Sequence, residues 1–367
     1  MNSHSNESSS PIKEETYDAS KLRVYAQHLL KAAGLDLAIA QVVSDTLVEG
    51  DLLGHDTHGL GLLASYIKEI ESGAMKSSGA PLVLSDKPGA ILWDGQRLPG
   101  PWLLDQAYKT LAPRARSLGV ASLVIKRSHH IACLAVYLMK ALQDGYLMVL
   151  ASSDANSASV APFGGTQAVF TPNPIAVGFP VEQSGVMIDI SASITTNGMT
   201  NRKHKAGEKF EHDWLMTNKG VLTNDPSVLF THPPGTLLGV GGLDHGHKGY
   251  GLSLIVEALT AGLGGRGRVD PKEGWGATVH VTLYDLKAFC GETEFKRQMD
   301  HVAKLCKTNL PLDPSKPVRL PGQAAFGKRD HQLKSGVRLH PSIAPSLKEA
   351  EEKYNAKLSD CFIHYTC

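Results

Sequence analysis

Apolar residues recur at intervals of three and four along the N-terminal third of the chain, the spacing of one face of an α-helix. Helices are predicted over residues 20–33, 37–53, 60–71 and 102–118. Glycines after the first and third of them act as stop signals. Two short strands are predicted at 81–84 and 90–93. Residues 1–17 are polar and serine-rich without this spacing, so we predict a disordered tail there.

From residue 119 onward, short apolar runs rich in β-branched residues are separated by glycine and proline. Strands are predicted over residues 120–125, 147–151, 168–170, 175–179, 186–190 and 278–284. Helices are predicted over residues 130–144, 248–263, 294–306 and 346–358, and the rest of the C-terminal part reads as turns. Strand and helix do not alternate regularly, which favours an α/β protein in an α+β arrangement.

The segment 262–267, GLGGRG, matches the letters of the dinucleotide fingerprint GxGxxG. That fingerprint works as a turn between a strand and a helix, where the helix N-terminus meets a pyrophosphate. Here the glycines follow a predicted helix, so we interpret them as its C-terminal stop. The looser match at 59–64 fails the same test. The sequence therefore does not support a Rossmann fold.

The composition is that of an ordinary globular protein, with 42% hydrophobic and 20% charged residues in a chain of 367. The net charge of +1 argues against a nucleic acid or an acidic membrane surface as partner. The basic run 201–205 is interpreted as a solvated loop. Five cysteines without a CxxC pair, no signal peptide and no apolar stretch of membrane length indicate a cytoplasmic protein without disulfides or membrane span.

Three histidine pairs beside glycines carry the candidate chemistry: His55/His58, His129/His130 and His245/His247. His55 and His58 are three residues apart, a spacing that on a helix allows both to bind one metal ion. A metal-dependent hydrolase is therefore one hypothesis. Histidine also suits proton transfer near neutral pH, and a dehydrogenase pairs such a group with a hydride carrier. Asp189, in an apolar strand, would orient His58 and raise its pKa.

Six motifs in order resemble those of the malate/L-lactate dehydrogenase family, the type that lacks a Rossmann fold. They are GHDTHG at 54–59, SHH at 128–130, APFGG at 161–165 with PNPIA at 172–176, DISAS at 189–193, KGYGL at 248–252 and PGQ at 321–323. The resemblance spans about residues 22–336. Relatives in this family include ureidoglycolate, sulfolactate and diketogulonate dehydrogenases and cyclic-imine reductases.

The resemblance implies an NAD(P)-dependent oxidoreductase that interconverts a 2-hydroxy acid and its 2-oxo acid, or reduces a related ketone or imine. A family member that binds the cofactor without turnover is the alternative within this fold. The implied fold has a mostly antiparallel NAD(P)-binding sheet domain at 119–289. A helical part for dimerisation and substrate binding combines 18–118 with 290–345, and a surface helix and tail occupy 346–367. The implied partners are a small-molecule substrate and a second copy of the chain.

By position in these motifs, the resemblance implies three catalytic residues: His58 as proton donor or acceptor, Asp189 as its partner beside the nicotinamide, and His130 in the cleft wall. NAD or NADP would be held by Ser152, Asp189, Ile190, Ser191, Lys248, Gly249, Pro321 and Gly322. Leu62, Pro162 and Gly164 would face the substrate. No residue is implied as a metal ligand.

Four positions depart from the family pattern: Leu62, Ala132, Ala192 and Thr217. Leu62 stands where the family has an arginine suited to gripping a substrate carboxylate with two hydrogen bonds. Ala132 replaces a glycine, Ala192 a threonine and Thr217 an aspartate. Because the proton-transfer residues are present and the carboxylate clamp is absent, the pattern indicates a member with a shifted substrate.

Overall fold

The computed structural model describes residues 15–182 and 185–363. Residues 1–14, most of the predicted tail, lie outside the described part. Tyr17, the last residue of that predicted tail, belongs to the fold, because it is buried and forms bridges to Val337 and Phe362. Within the described ranges, no helix combines the length and apolar character needed to cross a membrane.

The N-terminal part is helical, as predicted. It contains α1 (Ala19–Ala32), α2 (Leu37–Leu53) and α3 (Leu63–Glu71), with a 3₁₀ turn at Leu60–Leu62 before α3. Asp18 caps α1 by accepting hydrogen bonds from the N–H groups of Ser20 and Lys21, both 2.9 Å. Gly54 ends α2 with a φ of +89°, a conformation that glycine adopts without steric penalty.

A seven-stranded sheet and a three-stranded sheet account for the strands of the described chain. The strands are β1 (Leu82–Lys87), β2 (Ala90–Asp94), β3 (Val120–Ser128), β4 (Tyr146–Ser153), β5 (Ile175–Phe179), β6 (Val186–Ile190), β7 (Leu215–Met216), β8 (Leu222–Thr223), β9 (Thr236–Leu237) and β10 (Ala277–Asp285). The large sheet has the order β1-β2-β3-β10-β4-β5-β6, and the small sheet has the order β8-β7-β9. Every neighbouring pair is antiparallel except β2 and β3. The expectation of a mostly antiparallel, non-Rossmann sheet is confirmed.

Further helices follow along the chain. They are α4 (Gly100–Leu118), α5 (Leu134–Gln143), α6 (Asn197–Ala206), α7 (Gly242–His245), α8 (His247–Glu257), α9 (Glu292–Lys307), α10 (Gln323–Ser335) and α11 (Ile343–Tyr354). Among them, α4, α5 and α8 pack on the large sheet. α4 packs on β3 and β10, because Leu103, Ala107 and Leu111 are spaced by four and bury one face. α8 continues as a π-helical turn at Ala258–Gly262, so the glycines of 262–267 lie at the C-terminal end of a helix and just beyond it.

One hydrophobic core runs from the N-terminal helices into the large sheet. It includes Leu47 of α2, Leu123 of β3 and Val281 of β10, all of them buried. The sheet domain is predicted to begin at residue 119. β1 and β2 precede that residue in the sequence, yet they belong to the same sheet, because β2 pairs with β3. The predicted boundary at 118/119 therefore does not coincide with an edge of the sheet.

The structure differs from the sequence pattern in several segments. No strand forms at 168–170, where Phe170 makes an isolated bridge to Val160. The helix predicted from residue 130 begins at Leu134. The basic run 201–205 lies in α6 and not in a solvated loop. α10 occupies a segment where turns are predicted, because its few apolar residues do not recur along one helical face.

Candidate active site

The histidine run 54–59 forms a tight turn directly after α2. Backbone hydrogen bonds of 2.8 Å close it, from the N–H of His55 to the carbonyl of Gly50 and from the N–H of His58 to the carbonyl of His55. The Nδ1 atom of His58 lies 2.8 Å from the hydroxyl oxygen of Thr57. This contact fixes the His58 ring and leaves Nε2 available for proton transfer.

Asp51 fastens the turn to the body of α2. One of its carboxyl oxygens accepts a 2.7 Å hydrogen bond from the N–H of Leu60, and burial raises the Asp51 pKa to about 8. Gly59 leaves room for this carboxyl group, since a Cβ at position 59 would lie 2.4 Å from it. Gln332 of α10 donates hydrogen bonds to the carbonyls of Asp51 and Leu52, at 3.0 and 2.9 Å. The helix that the sequence pattern misses therefore supports the turn.

The second histidine pair lies in the loop between β3 and α5. His130 Nδ1 lies 2.9 Å from the Tyr66 hydroxyl oxygen and 3.3 Å from the amide nitrogen of Ala132, so two neighbours hold this side of the ring in place. The Tyr66 hydroxyl donates to the His130 carbonyl at 3.2 Å. The His130 ring stacks on His58 with 5.9 Å between centroids and lies 4.6 Å from the Trp275 ring. Burial lowers the pKa of His130 well below its ordinary value.

Ala132 holds this loop in a left-handed conformation with a φ of +57°. We expect Ala132→Gly to leave the free energy of unfolding within about 0.5 kcal/mol, because relief of backbone strain offsets the lost methyl packing and the greater freedom of glycine when unfolded. The matched control is Ala141→Gly in α5, an equally buried alanine in helical conformation, which should lose about 1 kcal/mol or more. Denaturant unfolding measures both, and equal losses would contradict the strain argument.

Burial governs the charge state of His58. It lowers the His58 pKa to about 4, and the positive fields of His55 and Arg202 add to this shift. The carboxylate that opposes the shift is Asp56. The His58 pKa is therefore lowered and not raised as predicted from Asp189, because loss of water around the ring outweighs the negative charge of Asp56. His58 is neutral at neutral pH.

Asp189 lies in β6, and its observed contacts differ from the predicted contact with His58. Its Oδ2 atom accepts a 3.0 Å hydrogen bond from the N–H of Ala135 at the start of α5, and lies 4.0 Å from the Cys133 sulfur. Burial raises the Asp189 pKa, while His55 and the Ala135 N–H oppose that shift. The candidate ligand atoms of His55, Cys133 and Asp189 all lie within 4.8 Å of one another.

Arg202 is a residue near the site that the sequence interpretation missed. Its guanidinium forms a 3.0 Å ion pair with Asp56 of the histidine run. The two residues are 146 positions apart, so no local pattern signals their contact. α6 thereby connects the basic run to the turn that carries His58.

A cleft of about 660 Å³ brings these groups together, a volume typical of small-molecule sites. Apolar side chains in its lining include Leu62, Ile131, Met199, Trp214 and Trp275. Hydroxyl groups in its lining include Ser152, Ser153, Ser157, Thr171, Ser191 and Thr195. Apolar surface beside hydroxyl donors fits the flat ring, the ribose hydroxyls and the phosphates of a nicotinamide dinucleotide.

The structure gathers part of the predicted site in this cleft. The predicted residues that line it are His58, His130, Asp189, Ser152, Ser191 and Leu62. The other predicted site residues do not line the cleft: Pro162, Gly164, Ile190, Lys248, Gly249, Pro321 and Gly322. The third histidine pair is also elsewhere, with His247 packed against Phe163. The roles of all these residues in binding or catalysis stay predictions.

Two of the outlying glycines have local structural reasons. Gly249 allows close backbone approach, since a Cβ there would lie 2.3 Å from the amide nitrogen of Val240. Gly322 has a φ of +88° and lies against Met187 of β6. These contacts account for glycine at both positions through packing alone.

Known proteins resemble this chain along most of its length. Malate dehydrogenase of Pyrococcus abyssi is 26% identical over 326 residues, which cover 87% of this chain and 89% of that protein. Hydroxycarboxylate dehydrogenase B of Escherichia coli K12 is 26% identical over 330 residues, covering 88% and 90%.

Solved structures show the same fold. Malate dehydrogenase from Entamoeba histolytica superposes with a TM-score of 0.88 at 23% identity, over 94% of this chain and 99% of that one. Delta1-piperideine-2-carboxylate reductase from Pseudomonas syringae superposes with a TM-score of 0.79 at 24% identity, over 92% and 99%. The profile of the family described as malate/L-lactate dehydrogenase matches residues 17–348. Since that match covers most of the chain, the protein belongs to the malate/L-lactate dehydrogenase family.

Proposed function

We propose that the protein is an NAD(P)-dependent oxidoreductase that interconverts a 2-hydroxy acid and its 2-oxo acid, with reduction of a cyclic imine as a related reaction. The observation that carries the proposal is that the rings of His58 and His130 stack in a cleft lined by apolar side chains and hydroxyl groups, which suit a dinucleotide. The dehydrogenases among the relatives support the reaction class. The same family assignment does not favour the metal-dependent hydrolase.

The neutral state of His58 suits the oxidative direction. A neutral imidazole accepts the hydroxyl proton of the substrate on Nε2, while Thr57 holds Nδ1. With its proton on Nε2, a neutral His130 donates a hydrogen bond to the substrate oxygen and orients it. In the reductive direction, a protonated His58 returns the proton to the oxygen or to an imine nitrogen.

The nicotinamide dinucleotide, when bound, supplies the hydride acceptor or donor. Ser152, Ser191 and Asp189 would hold it from the cleft wall, where their side chains supply hydroxyl and carboxylate groups. Leu62, Trp214 and Trp275 exclude water around the reacting carbon. An apolar wall of this kind favours a substrate with an apolar substituent.

The oxidation rate should show the low pKa of His58. We expect kcat/KM to stay constant between about pH 5 and 8 and to fall as the pH drops through about 4, because protonation removes the base and kcat/KM reports the free enzyme. A solvated histidine would instead give an inflection near pH 6.5. Initial rates in a buffer series measure this profile, and assays at pH 7 after incubation at each pH identify unfolding. An inflection near 6.5 would contradict the buried-base assignment.

The proposal is tested with the purified chain in two steps. Nicotinamide fluorescence on titration with NADH and with NADPH measures cofactor binding and distinguishes the two. Oxidation of the bound cofactor is then followed with pyruvate, oxaloacetate, longer 2-oxo acids and a cyclic imine. Absence of cofactor binding would overturn the proposal, and binding without turnover on the whole panel would identify a family member that has lost catalysis.

We also propose a homodimer in the cytoplasm, as the family resemblance implies. Cys133, Cys290, Cys306 and Cys361 are all unpaired, which agrees with a reducing compartment. Light scattering coupled to gel filtration measures the mass in solution. A monomer at micromolar concentration would contradict the dimer.

A further inference from the structure

Three side chains from separate parts of the chain converge in the cleft. His55 follows α2, Cys133 precedes α5 and Asp189 belongs to β6, and all three line the cleft. Their candidate ligand atoms lie within 4.8 Å of one another, and the Cys133 sulfur is 4.0 Å from Asp189 Oδ2. Around a tetrahedral zinc ion, bond lengths of 2.0 to 2.3 Å place ligand atoms roughly 3.5 Å apart. Small side-chain rotations therefore bring the three groups to coordinating distance.

The donor set selects the class of cation. Imidazole nitrogen, thiolate sulfur and carboxylate oxygen together suit zinc and its transition-metal neighbours, whereas magnesium and calcium prefer oxygen ligands. Three protein ligands leave a fourth position directed to the cleft, as in zinc sites that keep an exchangeable ligand. Binding releases the Cys133 proton, because the thiolate is the ligand.

We propose that His55, Cys133 and Asp189 form a binding site for a zinc-class divalent cation, and that its occupation inhibits the enzyme. The inhibition follows from position, since the cation would engage Asp189 beside the proposed cofactor and would place its fourth ligand in the cleft. The cation site itself does not depend on the proposed function. Cys133 and Asp189 are 56 residues apart, so spacing in the sequence does not indicate the site.

Cobalt(II) titration tests the site without any assay of turnover. The protein carries Cys290→Ser and Cys306→Ser, which remove the two exposed thiols of the described residues, together with Cys367→Ser, and is kept reduced with a phosphine. We expect a sulfur-to-cobalt charge-transfer band in the near ultraviolet that saturates at one equivalent, is displaced by zinc and is unaffected by magnesium. Absence of the band, or displacement of cobalt by magnesium, would overturn the proposal.

Two further variants identify the thiol. Cys133→Ala should abolish the band and weaken zinc binding by about 100-fold, as loss of a direct ligand costs at least as much as loss of an outer contact. Cys361→Ala, at the other buried cysteine of the described residues, should keep both, and circular dichroism verifies that each variant is folded. A band that persists in Cys133→Ala would place the metal elsewhere.

Inhibition is measured last, on the same proteins. Micromolar zinc should suppress cofactor-dependent turnover of the Cys133-containing enzyme, a chelator should restore it, and the ratio of rates with and without zinc should approach one in Cys133→Ala. Cobalt binding without inhibition would overturn the inhibitory part alone. Failure of all turnover would count against the proposed function and would leave the cobalt result independent of it.

Discussion

Replacing His58 by alanine is expected to lower the turnover number by about 10²- to 10⁴-fold, the range for loss of a general acid–base group. The side chain stacks on His130 in the cleft and is neutral at neutral pH, so it is ready to accept a proton. The dissociation constant for NADH or NADPH should change by less than about threefold, because His58 serves the proton and not the nucleotide. Steady-state kinetics and cofactor fluorescence measure the two quantities.

The control for His58 is His245→Ala. His245 is exposed and is not part of the cleft lining, so its removal should leave both the turnover number and cofactor affinity unchanged. His58→Gln separates proton transfer from packing, since glutamine fills much of the same space without a titrating group. Loss of cofactor binding in His58→Ala, or full activity in His58→Gln, would contradict the assigned role.

The second large effect is expected on activity towards oxo acids, when an arginine is introduced at the position of the missing carboxylate clamp. Leu62→Arg should raise kcat/KM for pyruvate and oxaloacetate by about 10- to 100-fold, since charge-assisted hydrogen bonds to a carboxylate contribute about 1.5–3 kcal/mol. Leu62 lines the cleft and is partly exposed, so a longer side chain has space to extend towards it. Initial rates over a range of oxo acid concentrations give kcat/KM.

Leu62→Met is the matched control, because it keeps an apolar side chain of similar volume and should not improve activity on oxo acids. Arg202 allows a second comparison, because its guanidinium already lies near the turn, where it forms an ion pair with Asp56. Combining Leu62→Arg with Arg202→Gln shows whether the two cations act on the same carboxylate. An unchanged kcat/KM in Leu62→Arg would mean that position 62 does not contact the substrate carboxylate.

Local patterns in the sequence predict the helices well and the contacts between distant segments poorly. α2 is predicted with its observed bounds, because its apolar residues recur at helical spacing and Gly54 ends it. α10 is not predicted from the spacing of apolar residues, because its one buried side chain is the polar Gln332. The sheet order is likewise hidden, as β10 inserts between β3 and β4 from a distant part of the chain.

The candidate site shows the same division. The motif containing His58 locates the turn, and both His58 and His130 reach the cleft, as the resemblance implies. The direction of the His58 pKa could not be read from the sequence, because it depends on how much water the folded cleft excludes. Asp189 illustrates the same limit, since its contacts with Ala135 and Cys133 arise only when β6 meets α5.

Folding takes up a proton at Asp51. Its pKa rises from 3.8 to about 8 when burial removes it from water, so the folded chain holds a proton there that the unfolded chain releases. The Asp51 contribution to stability is therefore full below pH 3.8 and is lost as the pH rises towards about 8. Asp51→Asn should remove this dependence, because an amide fills the site without titrating, and urea unfolding at several pH values would show it. The turn that carries His58 is thus held by a carboxylic acid, and alkaline conditions loosen it.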